Sequence, residues 1–469
     1  MKNTMSLAKL MPVFAILVFA ISGCTQSPSL AKPTPEQLAF QDLEFGMFVH
    51  YSIDAYAERG VPQGLTPASD FNPTELDVEQ WILTAKDMGA NYIVLTARHE
   101  QGFCLWPTKT TDYNIANSPY KDGKGDIVRE FIDACHKHNI IPGLYTAPWI
   151  DSNWDERHGI MVRRNSGDIN KFEDDELYEK ALKKEKDQIR ELLTNYGPIF
   201  FLWDDHFGRS DALDNVRLGG KLRAFYAEFT RYAHELQPQC LILGRDIEHV
   251  GNESGVASYP LWNSLNTLDG TLYTVSDTYM WGHDNTGRPE GKIYRPQIST
   301  TTVAFTTGGW MWNRPRSPQP LERTMKTYYE TVGRGAILIG NFAPDRRGLI
   351  EEEVVAGFKA FGAELRRRFS NPVASSDAKK AVQTLKFKKP QTFNHVVSME
   401  DLKDGQKIAG YTIEAKIDGQ WKTIVTGQTI GHKRIDEFPT VTATALRFKV
   451  TEAVAKPAVM RSLKVYNVN

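Results

Sequence analysis

At 469 residues, with 41% hydrophobic and 11% aromatic side chains, the chain can bury one catalytic-sized core and a smaller second one. Its 56 Lys and Arg against 57 Asp and Glu leave a formal charge of -1, which excludes an overall electrostatic footprint for nucleic acid or for an anionic membrane surface. A small or neutral partner is expected.

The N-terminal stretch departs from this soluble character. Lys2 and Lys9 precede an apolar run from Met11 to Ile21 that is too short and wrongly flanked to span a bilayer, so it reads as an export signal. The run ends in Ile21-Ser22-Gly23-Cys24, which resembles a bacterial lipoprotein box and implies a leader over residues 1–24 with Cys24 lipidated. By the same resemblance, Thr25 in place of Asp favours sorting to the outer membrane, with the lipid anchor as the only membrane attachment. Residues 25–36 are Ser, Pro and Thr rich, as in a tether. Cys104, Cys135 and Cys240 remain, odd in number and irregular in spacing, and read as buried free thiols.

From 37 to 368, short β-branched or aromatic runs alternate with helical patterns, the mark of repeated βα units around a parallel sheet. Expected strands are Tyr92 to Thr96, Ile140 to Tyr145, Ile199 to Trp203, Cys240 to Leu243 and Ala336 to Asn341. Expected helices are Asp77 to Met88, Asp126 to His138, Leu177 to Asn195 and Lys221 to Leu236, with Asp77 and Asp126 near the helix starts. Several strands run straight into polar residues, and no glycine-rich phosphate loop follows any of them, which favours a (β/α)8-like barrel over an open doubly wound sheet. Past Asn371-Pro372 the periodicity becomes alternating, and Tyr411 to Ile417, Asp418-Gly419 and Trp421 to Val425 read as a hairpin. Residues 376–469 are therefore expected to form a C-terminal β-sandwich.

The feature richest in chemistry is Phe200-Phe201-Leu202-Trp203-Asp204-Asp205-His206, two carboxylates where a buried strand emerges. Strand alternation sends them to opposite sides, so one of the two is expected to face a pocket. Glycosidic cleavage needs a second acid to protonate the leaving oxygen, for which Glu100, Glu248, Glu253 and Glu290 are candidates. Glu253 stands between Gly251-Asn252 and Ser254-Gly255, glycines that let a loop carry a side chain into a cleft. Trp149, Trp154, Trp203, Trp262, Trp281, Trp310 and Trp312 could stack on sugar rings, and His50 and His99 could bond sugar hydroxyls. No zinc-type ligand spacing and no serine nucleophile elbow is present, so paired carboxylates without a metal or cofactor are the most economical reading.

Several blocks together resemble glycoside hydrolase family 29, the retaining α-L-fucosidases. They are Phe45-Gly46-Met47-Phe48-Val49-His50, Phe71-Asn72-Pro73 with Trp81, Arg98-His99-Glu100-Gln101-Gly102-Phe103-Cys104-Leu105-Trp106, Gly143-Leu144-Tyr145, Trp203-Asp204-Asp205, Gly251-Asn252-Glu253 and Gly340-Asn341-Phe342-Ala343-Pro344-Asp345. The Gly-Asn-Glu block and Tyr329-Glu330-Thr331-Val332-Gly333-Arg334 look most like the branch acting on α-1,3/1,4-linked fucose. The resemblance implies a (β/α)8-like barrel followed by a β-sandwich, a nucleophile at Asp205 and a general acid/base at Glu253. It also implies pocket histidines at His50 and His99 and an aromatic wall at Trp203 with Trp310 or Trp312, while Tyr145 and Glu100 fall in blocks expected to touch the sugar.

This chain departs from the family pattern at His99-Glu100, where a second imidazole is replaced by a carboxylate, and at Arg59-Gly60, where a Trp-Asp-Gly block is missing. Two alternatives to fucose release follow. One is an α-L-galactosidase acting on algal galactan, the sugar differing from fucose by one hydroxyl; the other is a surface glycan-binding protein on the same scaffold.

Overall fold

The computed structural model describes residues 30–58, 61–148, 150–158, 174–205, 220–250, 253–267, 270 and 286–468. The expected leader with Cys24, Trp149, Trp281, His206, Arg59-Gly60 and the Gly251-Asn252 pair lie outside the described residues. The first described helix, Pro35–Leu43, starts with a reciprocal cap: Thr34 accepts from the Gln37 amide (3.2 Å) and the Gln37 side chain accepts from the Thr34 amide (2.9 Å). Pro35 and Glu36, at the end of the expected 25–36 tether, form the first turn of this helix.

The strands in chain order are β1 (Phe45–Val49), β2 (Tyr92–Thr96), β3 (Ile141–Thr146), β4 (Phe201–Asp204), β5 (Leu241–Ile242), β6 (Glu248–His249), β7 (Ser264–Leu265), β8 (Ile293–Tyr294), β9 (Gln297–Thr300) and β10 (Ile337–Phe342). Eight of them form one sheet in the order β5-β4-β3-β2-β1-β10-β9-β6. Its pairings are parallel. Its two ends meet through the parallel bridge between Leu243 and Ile247. The curled sheet with its outer helices is a (β/α)8-like barrel, as the βα alternation indicates. Strands β1, β6 and β9 were not among the expected ones; β6 is two residues long and β9 four, too short for a periodicity to show.

Alternation divides the barrel into two cores. Phe48, Tyr92, Val94, Tyr145, Phe201, Trp203, Ile298, Ile337 and Ile339 fill the interior, while Met47, Ile93, Leu95, Leu144, Leu202 and Leu338 pack under the helices. Large interior rings need small neighbours: a Cβ on Gly46 would lie 2.3 Å from the Tyr92 ring. Phe40, from the Pro35–Leu43 helix, packs against Tyr92 (5.3 Å between centroids) and Phe201 (4.9 Å), plugging the N-terminal end of the barrel. Asp77 and Asp126 cap the helices Val78–Met88 and Ile127–Lys137 by accepting from the amides of Gln80 (3.0 Å) and Arg129 (2.9 Å). Cys104, Cys135 and Cys240 are free and buried.

After the helix Glu352–Phe369 come β11 (Ala374–Ser376), β12 (Val382–Glu400), β13 (Ile408–Ile417), β14 (Gln420–Gly427), β15 (Arg434–Ala453) and β16 (Met460–Tyr466) in an antiparallel sheet, order β11-β16-β12-β15-β13-β14. Register shifts between Lys386 and Gln391 and between Phe393 and His395 let the long strands bend around their own core of Phe393, Ile413, Leu446, Phe448 and Leu463, the β-sandwich domain. Asp418 (φ 51°) and Gly419 (φ 78°) make the tight hairpin turn read from the sequence. Inside this domain Glu400 accepts from the amides of Lys407, Ile408 (2.9 Å) and Gly431 (3.3 Å). Burial outweighs those three donors and pushes its carboxyl up to about 8.

A carboxyl whose folded pKa is raised binds its proton more tightly in the folded state, so the fold loses stability as pH rises from the unfolded value through about 8. Thermal unfolding across this window should show that decline in the parent chain and a flatter profile in Glu400→Gln, even though the amide weakens the contact with Gly431. Identical pH slopes would exclude the titration.

Candidate active site

The interior columns end in polar groups at the C-terminal mouth of the barrel, where the strand ends of a (β/α)8 fold present their chemistry. On β4 the alternation Phe201, Trp203, Asp205 continues inward, so Asp205 is half-buried in the mouth while Asp204 is fully buried on the other side. Phe48 on β1 and His50 just past its end, Tyr145 on β3, His249 on β6 and Asn341 on β10 follow the same rule, and in the sheet register Tyr145 pairs with Trp203 and Phe48 with Asn341.

Asp205 is held at both oxygens. The Tyr145 hydroxyl donates to Oδ2 (2.5 Å), and the Trp203 indole N–H donates to Oδ1 (3.2 Å). Burial and the nearby charges of Asp205, Glu100 and Glu253 push the Tyr145 hydroxyl well above the ordinary tyrosine range, so it remains a donor at any working pH. His99 stacks on Tyr145 (5.3 Å, 16° between planes), and His50 meets Tyr145 edge-on at 5.4 Å.

Across the mouth, exposed Glu253 accepts from the Trp310 indole (3.0 Å). Trp310 lies 5.1 Å from His50, and so links the Glu253 side of the pocket to the Asp205 side. Its loop is braced by Arg316, whose guanidinium donates to the carbonyls of Gly309 (2.7 Å) and Met311. Trp312, grouped with Trp310 in the sequence, instead donates its indole N–H to Glu351 (2.8 Å). Among the other acids, Glu248 is buried and paired with Arg295 (2.8 Å), and Glu290 is exposed. Glu100 is half-buried and accepts from Gln63 (3.0 Å).

The tautomer of His50 follows from its neighbours. The Asn341 amide nitrogen donates to the Trp310 carbonyl (3.0 Å) and to Thr302 Oγ1 (3.4 Å), so its oxygen faces His50 Nδ1 at 2.7 Å and Nδ1 carries the proton. Burial and the proximity of His99 push the imidazole down to about 3 despite the favourable Asn341 bond, leaving Nε2 a neutral acceptor for a hydroxyl. His249, not singled out in the sequence, lies 5.7 Å from Trp203, bonds Thr300 Oγ1 (3.1 Å) and is lowered by burial to about 4. The one available signal was alternation after Glu248, in a strand of two residues.

The block after β2 is pinned from below. Fully buried Arg98 donates to Asp151 (2.9 Å), Glu185 (2.7 Å) and the Ala147 carbonyl (2.7 Å), and Lys184 completes the cluster by pairing with Asp151 and with Glu185 (3.0 Å). Burial alone would raise the Asp151 carboxyl, but Lys184 and Arg98 together hold it well below its ordinary range. Gly102, at φ 91°, is the closest approach: a Cβ there would sit 1.9 Å from Asp151 Oδ1.

A barrel whose mouth gathers carboxylates, aromatic rings and neutral imidazoles, with hydroxyl-binding capacity on several sides, is built as a glycoside hydrolase. A family model for Alpha-L-fucosidase matches residues 24–368, and the chain belongs to that family. "Alpha-L-fucosidase 1" of Arabidopsis thaliana is 27% identical, covering 95% of this chain and 91% of that protein. The crystal structure of a glycoside hydrolase 29 family member from an unknown rumen bacterium superposes with TM-score 0.78 at 31% identity, over 94% of this chain and 78% of the other. A Ruminococcus gnavus GH29 fucosidase in complex with fucose shares the fold, with TM-score 0.76 and 21% identity over 96% of this chain and 97% of the other.

Asn341→Asp tests the His50 assignment. A carboxylate beside Nδ1 raises the imidazole pKa, by about one unit or more, and protonates Nε2. The variant should acquire an acidic limb in its kcat/KM profile that the parent lacks above about pH 4, with activity recovering as pH rises; an unchanged profile shape would show that neutral His50 does not contribute.

Proposed function

We propose that the enzyme releases terminal α-L-fucose from glycans by a retaining double displacement, with Asp205 as nucleophile and Glu253 as general acid/base. The observation that carries the reading is the clamped Asp205 carboxylate, fixed by Tyr145 and Trp203 beneath a mouth that Glu253 and Trp310 overhang. An oxygen of Asp205 attacks the anomeric carbon as Glu253 protonates the departing oxygen; Glu253 then takes a proton from water, which displaces the carboxylate from the glycosyl ester. Inversion twice gives net retention. His50 Nε2 accepts a sugar hydroxyl, and Trp203 and Trp310 offer apolar faces to the ring and its methyl group. The Gly-Asn-Glu and Tyr329–Arg334 blocks favour α-1,3/1,4 linkages. The leader and Cys24 favour an exported lipoprotein held at the outer membrane by its lipid.

A second reading concerns the sugar. The Glu100 charge acts on Tyr145 beside Asp205, so a third carboxylate borders the pocket. A carboxylate is an acceptor suited to one more hydroxyl, as on the C6 of L-galactose, and a site that bonds a hydroxyl discriminates strongly against its absence.

Paired aryl α-L-fucoside and aryl α-L-galactoside, followed by proton NMR of the first-formed sugar, separate these readings. The fucoside should be cleaved with the α-anomer appearing first, and Asp205→Asn should lose about 10⁴-fold or more in kcat. Cleavage of the galactoside alone would reassign the sugar. A first-formed β-anomer would sink the double displacement, and binding without turnover of either glycoside would favour a glycan-binding scaffold.

A further inference from the structure

The segment that follows Glu253 is held from two sides. Ala257, Tyr259, Leu261 and Asn263 are tied toward the sandwich domain or the turn it grips. The Ala257 carbonyl accepts from Arg334 (2.7 Å), in the turn where the amide of Ile435 donates to the Gly333 carbonyl (3.0 Å). The Tyr259 ring lies under the Arg434 guanidinium (4.0 Å), and its hydroxyl accepts from the Gln428 amide (2.7 Å). The Leu261 amide donates to Thr429 Oγ1 (3.0 Å). Gln406 both donates to the Leu261 carbonyl (2.7 Å) and accepts from the amide and side chain of Asn263 (3.0 and 3.1 Å). The intervening Trp262 faces the barrel, its carbonyl accepting from Gln297 at the start of β9 (2.6 Å). Nearer the acid, the Gly255 amide donates to the Thr300 carbonyl at the end of β9 (3.1 Å), and its carbonyl accepts from Thr331.

Gln406 and Thr429 are buried and lie on different loops of the sandwich domain. The Glu400 carboxyl joins those loops, accepting from the amides of Lys407 and Ile408 on one side and Gly431 on the other. Ties from Gln406, Gln428, Thr429 and Arg434 thus converge on one segment, 257–263, that begins four residues after Glu253.

We infer that the C-terminal domain is a positioning element for general acid catalysis: Gln406 and Thr429 fix the 257–263 segment and thereby the reach of Glu253 toward the leaving oxygen. The inference rests on the reading of Glu253 as acid/base. Its physical basis is that a misplacement of about 1 Å in a reacting group can cost roughly 100-fold, while binding of the sugar ring, set by β1, β3 and β4, is left alone.

Loss of acid assistance has a signature that general unfolding lacks, because it grows as the leaving group becomes less acidic. The test is kcat/KM for a series of aryl α-L-fucosides from dinitrophenyl to unsubstituted phenyl, on the full chain and on Gln406→Ala, Thr429→Val and Glu253→Ala, with melting temperatures recorded in parallel. Glu253→Ala should make the dependence on leaving-group acidity steep. Gln406→Ala and Thr429→Val should hold activity on the dinitrophenyl substrate within about 2-fold and lose on the order of 10-fold or more on the phenyl substrate, and Thr429→Ser, which retains the hydroxyl, should restore the parent slope. A uniform loss across the series, or a parent-like slope in both positioning variants beside a steep Glu253→Ala, would overturn the inference alone. A shallow Glu253→Ala series would remove the reading of Glu253 and the inference with it. Should either positioning variant fail to fold, Thr429→Ser against Thr429→Ala decides by the same slopes.

Discussion

In a parallel strand every second side chain must enter the barrel, and closing the sheet turns that rule into a constraint on chemistry. Asp205 enters the mouth because Phe201 and Trp203 fill the interior beneath it; moving the register by one residue would present Asp204 instead and bury Asp205 among the helices. The same count along β1, β3 and β10 delivers His50, Tyr145 and Asn341 to the mouth. The site is thus a consequence of how the interior is packed, and Phe40 at the opposite end contributes by fixing the lowest layer against Tyr92 and Phe201.

Electrostatics then sorts these groups. Among the described residues, Arg98 and Lys184 are committed to a buried cluster with Asp151 and Glu185, and Arg316 to loop carbonyls. Such a cluster is a weak source of net stability, since desolvating its charges opposes their attraction, but removing one member would leave another buried and uncompensated. Its service here is geometric. It anchors the turn carrying His99 and Glu100 to the helix Ser152–Arg157, whose first amides bond the Glu100 and Gln101 carbonyls (2.8 and 3.2 Å). His50 and His249 are held neutral by burial, which suits recognition of hydroxyls.

Much of this was legible in the sequence where a local rule sufficed. Asp77 and Asp126 mark helix starts, Asp418-Gly419 marks a hairpin, and alternation through Trp203-Asp204-Asp205 separates the two carboxylates. The α-L-fucosidase blocks placed the family. What stayed hidden depends on pairings distant in the chain: Asn341 fixes the His50 tautomer only because β10 lies beside β1, and Trp310 and Trp312 diverge only because Glu351 happens to face one of them. Strands of two or four residues, β6 and β9, carry too few positions for a periodicity, and with β6 went His249. Gln406 and Thr429 looked like ordinary loop residues, since their partners are set by the docking of one domain on another.

The clamp on Asp205 imposes a last condition on the reaction. A carboxylate that accepts from both Tyr145 and Trp203 is oriented, yet in the proposed reaction each donor also withdraws electron density from the oxygen that would attack. The short Tyr145 contact is the stronger of the two, and because burial and three carboxylates hold that phenol far from ionisation, it cannot relieve the competition by giving up its proton. In the proposed double displacement, one oxygen of Asp205 would become the ester oxygen of the glycosyl intermediate, and the donor on the other oxygen would meet the charge that returns as the ester is cleaved. Under that proposal the clamp would stabilise the carboxylate most as it departs, and so would assist hydrolysis of the intermediate as well as orient the attack that forms it.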